Sequence, residues 1–128
     1  MSEKNKEVVE KVNAAFAEGS VEGFLSHCSE DIVWIMIGEE RRSGKKVIRD
    51  WMSSMEGQEP PKFTVDNLLA DGDLVVASGD MTMKDKDGEI EPYSYCDIYR
   101  FSDAKITELT SYVVKTQSKI EGGRTAAA

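Results

Sequence analysis

The most informative segment of the chain reads YSYCDIYRF and spans residues 93–101. In a β-strand, alternate side chains point to the same face. One face of this segment then carries the Asp97 carboxyl among four rings, those of Tyr93, Tyr95, Tyr99 and Phe101. On a solvent-facing strand these rings would be exposed, and in an ordinary apolar core the carboxyl would be unpaired at a considerable cost in free energy. The pattern therefore predicts a strand that lines a cavity.

The chain on both sides of this segment has the alternation and the turn residues of antiparallel strands. Strands are predicted at residues 63–70, 74–83, 91–101 and 105–114, with turns at 71–73, 85–88 and 102–104. Two small residues, Ala77 and Gly79, share one face of the second of these strands. They either leave volume in the cavity or, in the case of the glycine, mark a β-bulge.

The N-terminal half has apolar residues at helical spacing instead. Helices are predicted at residues 6–18, from a cap at Ser20 to Cys28, and from a cap at Ser43 through residues 45–56. Residues 32–37, IVWIMI, have the composition of a strand that is covered on both faces. Helices followed by an antiparallel meander predict one α+β domain at residues 1–116. Residues 117–128 lack periodicity and are predicted to form a flexible tail.

The composition is that of an ordinary globular domain, with 40% apolar and 31% charged residues in a chain of 128. A net charge of -8 disfavours nucleic acid and anionic membranes as partners. Basic residues cluster at 41–46, but they follow Glu39 and Glu40, which favours a solvated loop over a phosphate site. The sequence lacks a long apolar run and a secretory signal, which predicts a cytoplasmic protein. Because Cys28 and Cys96 lack metal-ligand spacing, neither a zinc site nor a disulfide framework is indicated. No metal and no other cofactor are expected.

A series of short motifs runs through most of the chain in a distinctive order: VNAAFAEG at 12–19, Trp34, RSG at 42–44, IRDW at 48–51, DIYRF at 97–101 and then Lys105-Ile106. This order resembles the nuclear transport factor 2-like superfamily, in its SnoaL-like and ketosteroid-isomerase-like branch. The resemblance implies a cone-shaped, curved antiparallel sheet wrapped around three N-terminal helices, a cystatin-like α+β barrel with a pocket inside the cone. It also implies a homodimer formed through the outer face of the sheet.

The resemblance to ketosteroid isomerase also assigns roles to individual positions. That enzyme uses a carboxylate base, a tyrosine and a protonated aspartic acid. The protonated aspartic acid falls on Asp97, but the base falls on Met36 and the tyrosine on Val12, whose side chains cannot do this chemistry. A standard ketosteroid isomerase is therefore not expected. An epoxide hydrolase is also disfavoured, because Arg100 differs in strand parity from Asp97 and is expected to point away from it.

Asp97 is the candidate catalytic residue. Burial among rings raises the pKa of a carboxyl, and a neutral acid can donate a hydrogen bond to a ligand carbonyl. A tyrosine hydroxyl or a backbone amide would equally satisfy this carboxyl without any ligand. The predicted ligand-binding lining is apolar and rich in methionine, which suits core packing as well as a pocket. It comprises Trp34, Met36, Trp51, Met52, Met55, Met81, Met83, Tyr95, Tyr99, Leu109, Ser111 and Val113.

These features predict a pocket protein that binds an apolar, aromatic or polycyclic small molecule and hydrogen-bonds it through Asp97. As an enzyme it would be a cofactor-independent isomerase, cyclase or lyase-like protein that stabilises an enol. The alternative is a non-catalytic dimerisation or interaction module whose own side chains fill the cavity. Ligand-dependent shifts in melting temperature distinguish the two.

Overall fold

The computed structural model of the protein describes residues 2–54, 60–85 and 87–116. The predicted tail at 117–128 and the predicted lining residue Met55 lie outside the described residues. The described chain forms three helices and seven strands: α1 (Ser2–Glu18), α2 (Val21–Leu25), β1 (Cys28–Met36), β2 (Arg41–Ser43), α3 (Lys45–Ser53), β3 (Lys62–Phe63), β4 (Asn67–Asp71), β5 (Leu74–Lys84), β6 (Ile90–Ser102) and β7 (Lys105–Lys115).

The strands form one open, curved sheet in the order β2-β1-β7-β6-β5-β3, with β4 also paired to β5. β1 and β7 run parallel, and the other pairings among the described strands are antiparallel. The fold is therefore α+β as predicted, but its sheet is mixed and not wholly antiparallel. Sequence patterns locate strands without indicating which distant strands become neighbours, so the pairing of β1 with β7 was not predicted.

Some predicted helix boundaries were wrong. Ser20 does cap α2, since its hydroxyl accepts a hydrogen bond from the Gly23 amide at 3.0 Å, but α2 ends at Leu25 and Cys28 begins β1. Ser43 does not cap α3, because it pairs with β1 as the last residue of β2. The N-cap of α3 is Gly44, whose φ of +93° suits a residue without a side chain and whose amide donates to the Ile32 carbonyl at 2.7 Å.

The strand predicted at residues 63–70 is interrupted. β3 ends at Phe63 and β4 begins at Asn67. Between them the chain stays on β5 through the Thr64 amide, which donates to the Asp80 carbonyl at 2.9 Å, and the Asp66 amide, which donates to the Ser78 carbonyl at 2.8 Å. The segment therefore follows the sheet closely without regular strand geometry.

The core lies between the helices and one face of the sheet. Val9 and Val12 of α1, Phe24 and Leu25 of α2, and Ile48 of α3 are fully buried. They form one cluster with residues of the long strands, including Val75, Tyr99, Ile106 and Leu109. Within the described ranges, no helix combines the length and the hydropathy that a membrane span requires. The helices thus cover a single concave face, called here the inner face.

Candidate functional site

The odd-numbered residues of β6 lie on the inner face, as the alternation predicts. Tyr95, Tyr99 and Phe101 are buried there, and Asp97 between them is half-buried. Asp97 therefore retains some accessible surface on a face that is otherwise aromatic and apolar. Rings on either side of a carboxyl exclude water from it without offering a positive charge, which favours the neutral form and raises the pKa of the acid.

The register defines the neighbours of Asp97 across the sheet. Asp97 is opposite Ser111 of β7 and Ala77 of β5, and Ser111 is in turn opposite Met36 of β1. Ala77 is opposite Leu68 of β4. Because directly opposed residues point to the same face, these five side chains form one row across the inner face, called here the Asp97 row.

The predicted lining residues lie in the Asp97 row, in the rows beside it, at the far end of β5 and on α3. Trp34, Leu109 and Tyr99 share one adjacent row, and Val113 and Tyr95 share the other. Met81 and Met83 lie further along β5, opposite Tyr93 and Glu91, so the register separates them from Asp97. Trp51 and Met52 of α3 are half-buried and pack on the core from the helix side.

One hydrogen bond connects the Asp97 row to the row that contains Trp34: the Trp34 indole Nε1–H donates to Ser111 Oγ at 3.0 Å. Within the Asp97 row, the Ser111 hydroxyl lies directly opposite the Asp97 carboxyl and donates toward it. Burial raises the pKa of Asp97 from its ordinary 3.8 to about 6, and the bond from Ser111 opposes this rise. The carboxyl therefore exchanges its proton close to neutral pH, where an acid–base group is most useful.

An aromatic cluster holds Trp34 in place. Its ring meets Phe24 of α2 at 5.3 Å and Trp51 of α3 at 5.2 Å between centroids, both edge to face, and Phe16 of α1 at 6.1 Å. The Arg42 guanidinium lies 3.9 Å from the centroid of a Trp51 ring. Arg42 was predicted to lie in a solvated loop, but it is half-buried, since its position opposite Trp34 turns it to the inner face.

The two tyrosines that flank Asp97 differ in their hydrogen bonding. The Tyr95 hydroxyl donates to the Thr64 carbonyl at 2.6 Å. The Tyr99 hydroxyl is fully buried and has no hydrogen-bond partner among the described residues. Burial raises the pKa of Tyr95 to about 12 and that of Tyr99 well above its ordinary value, and the nearby Asp97 carboxyl adds to both shifts. Both phenols are therefore protonated at neutral pH, and the Tyr95 hydroxyl acts as a hydrogen-bond donor.

Gly79 neither opens volume nor marks a bulge. It pairs regularly with Tyr95, and a Cβ at this position would collide with the Thr64 carbonyl oxygen. The same oxygen accepts the Tyr95 hydrogen bond. Glycine thus allows the chain between β3 and β4 to approach β5 closely, which fixes one end of Tyr95.

Two depressions open where α1 faces the chain from Pro60 to Leu68. One has a volume of about 390 Å³ and is lined by Glu10, Asn13, Val65, Asp66 and Leu68. The other has a volume of about 400 Å³ and is lined by Ala17, Pro60, Pro61, Lys62 and Phe63. Asp97 lines neither depression, but each depression is lined by a residue that lies near the neighbours of Asp97. Leu68 ends the Asp97 row, and the Phe63 ring meets the Tyr95 ring edge to face at 6.1 Å.

The buried amide of Asn13 was not predicted as a functional residue. Asn13 is only 9% exposed and lines the first depression, beside the fully buried Val12. Its neighbours in the helical pattern are apolar, so the sequence marked the whole face of α1 as core. Val12 and Met36, to which the resemblance to ketosteroid isomerase assigns the tyrosine and the base, supply neither a donor nor a base. The described inner face thus offers one poised acid and several neutral donors.

Comparison with known proteins gives this arrangement a context. A family model described as the SnoaL-like domain matches residues 9–109. An NTF2-like protein of unknown function from Cytophaga hutchinsonii is 26% identical, with a TM-score of 0.72 over 85% of this chain and 98% of that one. No curated protein matches the sequence.

Two further solved structures share the fold at lower identity. A protein from Jannaschia sp. CCS1, provisionally named a SnoaL-like polyketide cyclase, is 14% identical, with a TM-score of 0.79 over 88% of this chain and 87% of that one. An LEH-like epoxide hydrolase from M. tuberculosis is 17% identical, with a TM-score of 0.78 over 88% of this chain and 84% of that one. One scaffold therefore carries different chemistries.

Proposed function

The chain belongs to the SnoaL-like domain family of the nuclear transport factor 2-like superfamily, and on that premise we propose that it binds an apolar, aromatic or polycyclic small molecule on its inner face. Asp97 anchors this ligand by donating a hydrogen bond to a carbonyl or hydroxyl oxygen. The observation that carries the proposal is a half-buried carboxyl among tyrosine rings, with a pKa raised to about 6 by burial.

The chemistry available to Asp97 follows from the groups around it. When protonated, the carboxyl donates a hydrogen bond and stabilises an enol or a developing oxyanion on the ligand. Turnover at this site would be a cofactor-independent isomerisation, cyclisation or lyase-like reaction that needs one acid. Neither Met36 nor Val12 supplies the base or the tyrosine of a standard ketosteroid isomerase. The relatives named as a polyketide cyclase and an epoxide hydrolase support a site for small organic molecules.

A binding experiment with a matched control tests this proposal. The probes are hydrophobic carbonyl compounds of one to four fused rings, titrated against wild type, Asp97→Asn and Asp80→Asn at pH 5 and pH 8. Asp80 is a carboxyl of the same sheet that faces outward. We expect at least one probe to bind wild type about 10- to 100-fold more tightly at pH 5 than at pH 8, since hydrogen bonds to charged or strongly polar groups are worth about 1.5–3 kcal/mol. Asp97→Asn, whose amide donates at either pH, should bind this probe equally at both.

The pH dependence of binding shows whether Asp97 donates or accepts the hydrogen bond to the ligand. Because only protonated Asp97 donates, affinity is expected to fall by about tenfold per pH unit above the pKa of about 6. Asp80→Asn should bind like wild type. Equal affinity of wild type at pH 5 and pH 8, or stronger binding at pH 8 than at pH 5, would contradict a donating role for Asp97.

The second candidate function is a non-catalytic dimerisation or interaction module. It is favoured by the two depressions, since neither is lined by Asp97. In that case the inner face is filled by its own side chains, and no probe raises the melting temperature of wild type. A rise of several degrees in wild type at pH 5 that disappears at pH 8 would favour the first candidate.

The outer face of the sheet fits a second copy of the chain, and we propose a cytoplasmic homodimer through it. An uncharged row crosses five strands there, Ile35, Thr110, Ile98, Val76 and Leu69. Leu69 is 66% exposed, and Tyr112 and Val114, which follow Thr110 along the same face of β7, are 42% and 63% exposed. Neighbouring exposed apolar side chains on one face are typical of a protein interface. The uncharged row lets two acidic copies meet without opposing charges at the centre.

Light scattering tests the homodimer. Wild type is expected at twice the 14.2 kDa chain mass, and Tyr112→Glu is expected to be a monomer because it places two carboxylates in the interface. Ser102→Glu, at the exposed end of β6, is the control and should remain dimeric. A wild-type monomer at high micromolar concentration would contradict the proposal.

A further inference from the structure

Ser111 has its hydrogen-bonding capacity divided between two residues of other strands. It is 4% exposed, its Oγ accepts the Trp34 indole N–H at 3.0 Å, and it lies directly opposite Asp97. A serine hydroxyl has one proton and two lone pairs. An indole N–H can only donate, so it occupies a lone pair of Ser111 and leaves the hydroxyl proton for another acceptor. The Asp97 carboxyl, directly opposite Ser111 on the same face of the sheet, is the acceptor that this proton faces.

Side chains of the helices orient the Ser111 hydroxyl by holding the Trp34 ring in place. Phe24 of α2 and Trp51 of α3 meet the Trp34 ring edge to face at 5.3 and 5.2 Å. These contacts fix the plane of the indole, and the plane fixes the direction of its N–H. Phe16 of α1 also packs on Trp34. All three helices therefore influence Asp97 indirectly, through the side chains of Trp34 and Ser111.

We propose that Trp34 and Ser111 are positioning residues for Asp97: the indole holds the Ser111 hydroxyl so that its proton points at the carboxyl, and this sets the pH range in which Asp97 can give a proton or a hydrogen bond to a ligand. That Asp97 donates to a ligand within this pH range rests on the proposed function. The relay itself is a property of the protein without ligand and can be measured without one.

The groups that face Asp97 leave Ser111 as the neighbour with the largest influence. Tyr95 and Tyr99 flank it on β6 and are neutral at physiological pH because burial raises their pKa. Its neighbours on β5 are Ala77, Gly79 and Val75, and those on β7 besides Ser111 are Leu109 and Val113. The inward residues of β1 and α3 are apolar or indole side chains, Met36, Trp34, Trp51 and Met52. The charged inward side chain of β2, Arg42, lies three strands away from β6 and stacks on Trp51. Those of α1 are Val9, Val12, the neutral amide Asn13 and Phe16.

The sheet contains a matched control for this relay. On the outer face, Ser94 is directly opposite Asp80 and its hydroxyl donates to Asp80 Oδ1 at 3.1 Å. This pair has the same residue types and the same cross-strand geometry, but it is exposed and its serine has no indole donor. Ser94→Ala therefore deletes an equivalent donor without touching the relay.

The experiment follows the side-chain carboxyl carbon of Asp97 by NMR as a function of pH, with Asp97→Asn used to assign the resonance. We expect Ser111→Ala to raise the titration midpoint of Asp97 by about one pH unit, the shift that corresponds to losing one hydrogen bond to a charged group. Trp34→Phe should raise it by less, since the hydroxyl remains but is no longer held. Ser111→Thr restores the hydroxyl and should return the midpoint to within a few tenths of a unit of wild type.

The controls make the result decisive. Ser94→Ala should leave the Asp97 midpoint unchanged. If Ser111→Ala does not fold, Ser111→Cys replaces it, because its thiol is a weak donor and should give a smaller upward shift. The relay is overturned if the titration midpoint of Asp97 in the folded Ser111 variant stays within about 0.2 pH unit of wild type, because the loss of a hydrogen bond to the carboxylate must shift the midpoint by more than that. An equal shift in Ser94→Ala also overturns it. Both outcomes are independent of whether any probe binds.

Discussion

Two pairs of residues in the sheet have the same chemistry and opposite surroundings. On the inner face Asp97 of β6 is opposite Ser111 of β7, and on the outer face Asp80 of β5 is opposite Ser94 of β6. Ser94 and Asp80 interact at the surface, in reach of water. Ser111 is buried and also bonds Trp34. The strand register produces both pairs, and burial of the inner one raises the pKa of Asp97 to about 6.

The stability of the protein should record this difference, and the inner carboxyl gives the largest expected effect. The folded-state pKa of Asp97, about 6, lies above its ordinary 3.8, so the folded state holds a proton that the unfolded state has lost between these values. Stability contributed by this group is complete below about pH 4 and is lost as pH rises through 6. A shift of this size corresponds to a loss on the order of 3 kcal/mol.

Urea denaturation of wild type, Asp97→Asn and Asp80→Asn at intervals from pH 4 to pH 8 measures this loss. The free energy of unfolding of Asp97→Asn, relative to wild type, is expected to rise by on the order of 3 kcal/mol across this range. Asp80→Asn should show no such relative rise. Parallel curves for wild type and Asp97→Asn would mean that burial does not set the proton affinity of Asp97.

The two tyrosines beside Asp97 sharpen the comparison within the inner face, with a smaller expected effect. Tyr95→Phe loses the part-buried hydrogen bond to the Thr64 carbonyl, which costs about 0.5–1.5 kcal/mol. Tyr99→Phe removes a buried hydroxyl without a described partner, so it should be neutral or stabilise by about 1 kcal/mol. Thermal denaturation without ligand measures both. A destabilised Tyr99→Phe would show that its hydroxyl is bonded in the folded protein.

The sequence predicted much of the inner face because β6 is long and strictly alternating. The period of two placed Asp97 on the same face as Tyr95, Tyr99 and Phe101, and the structure confirms that arrangement. The strands of the C-terminal half were also predicted, apart from the break between β3 and β4. The roles of the individual lining residues in ligand binding stay predictions.

The parts that were missed depend on contacts between distant segments. The Trp34 hydrogen bond to Ser111 requires β1 to pair with β7, a neighbour that no local pattern indicates. Gly79 was taken as space or a bulge because its partner, the Thr64 carbonyl, lies in an irregular segment with no signal of its own. Arg42 was taken as loop because β2 is only three residues long and its pairing with β1 turns the side chain inward.

The pairing of β1 with β7 also has a consequence for protein synthesis. The hydrogen bond from Trp34 to Ser111 joins residues 77 positions apart. The ribosome must therefore synthesise β2, α3 and the strands β3 through β6 before Ser111, the partner of the indole, is part of the chain. Until then a nascent chain exposes β1 on one edge, with its apolar side chains available to chaperones or to wrong partners. Long-range pairing of this kind slows folding. The acid of the site thus acquires its final surroundings among the last events of maturation.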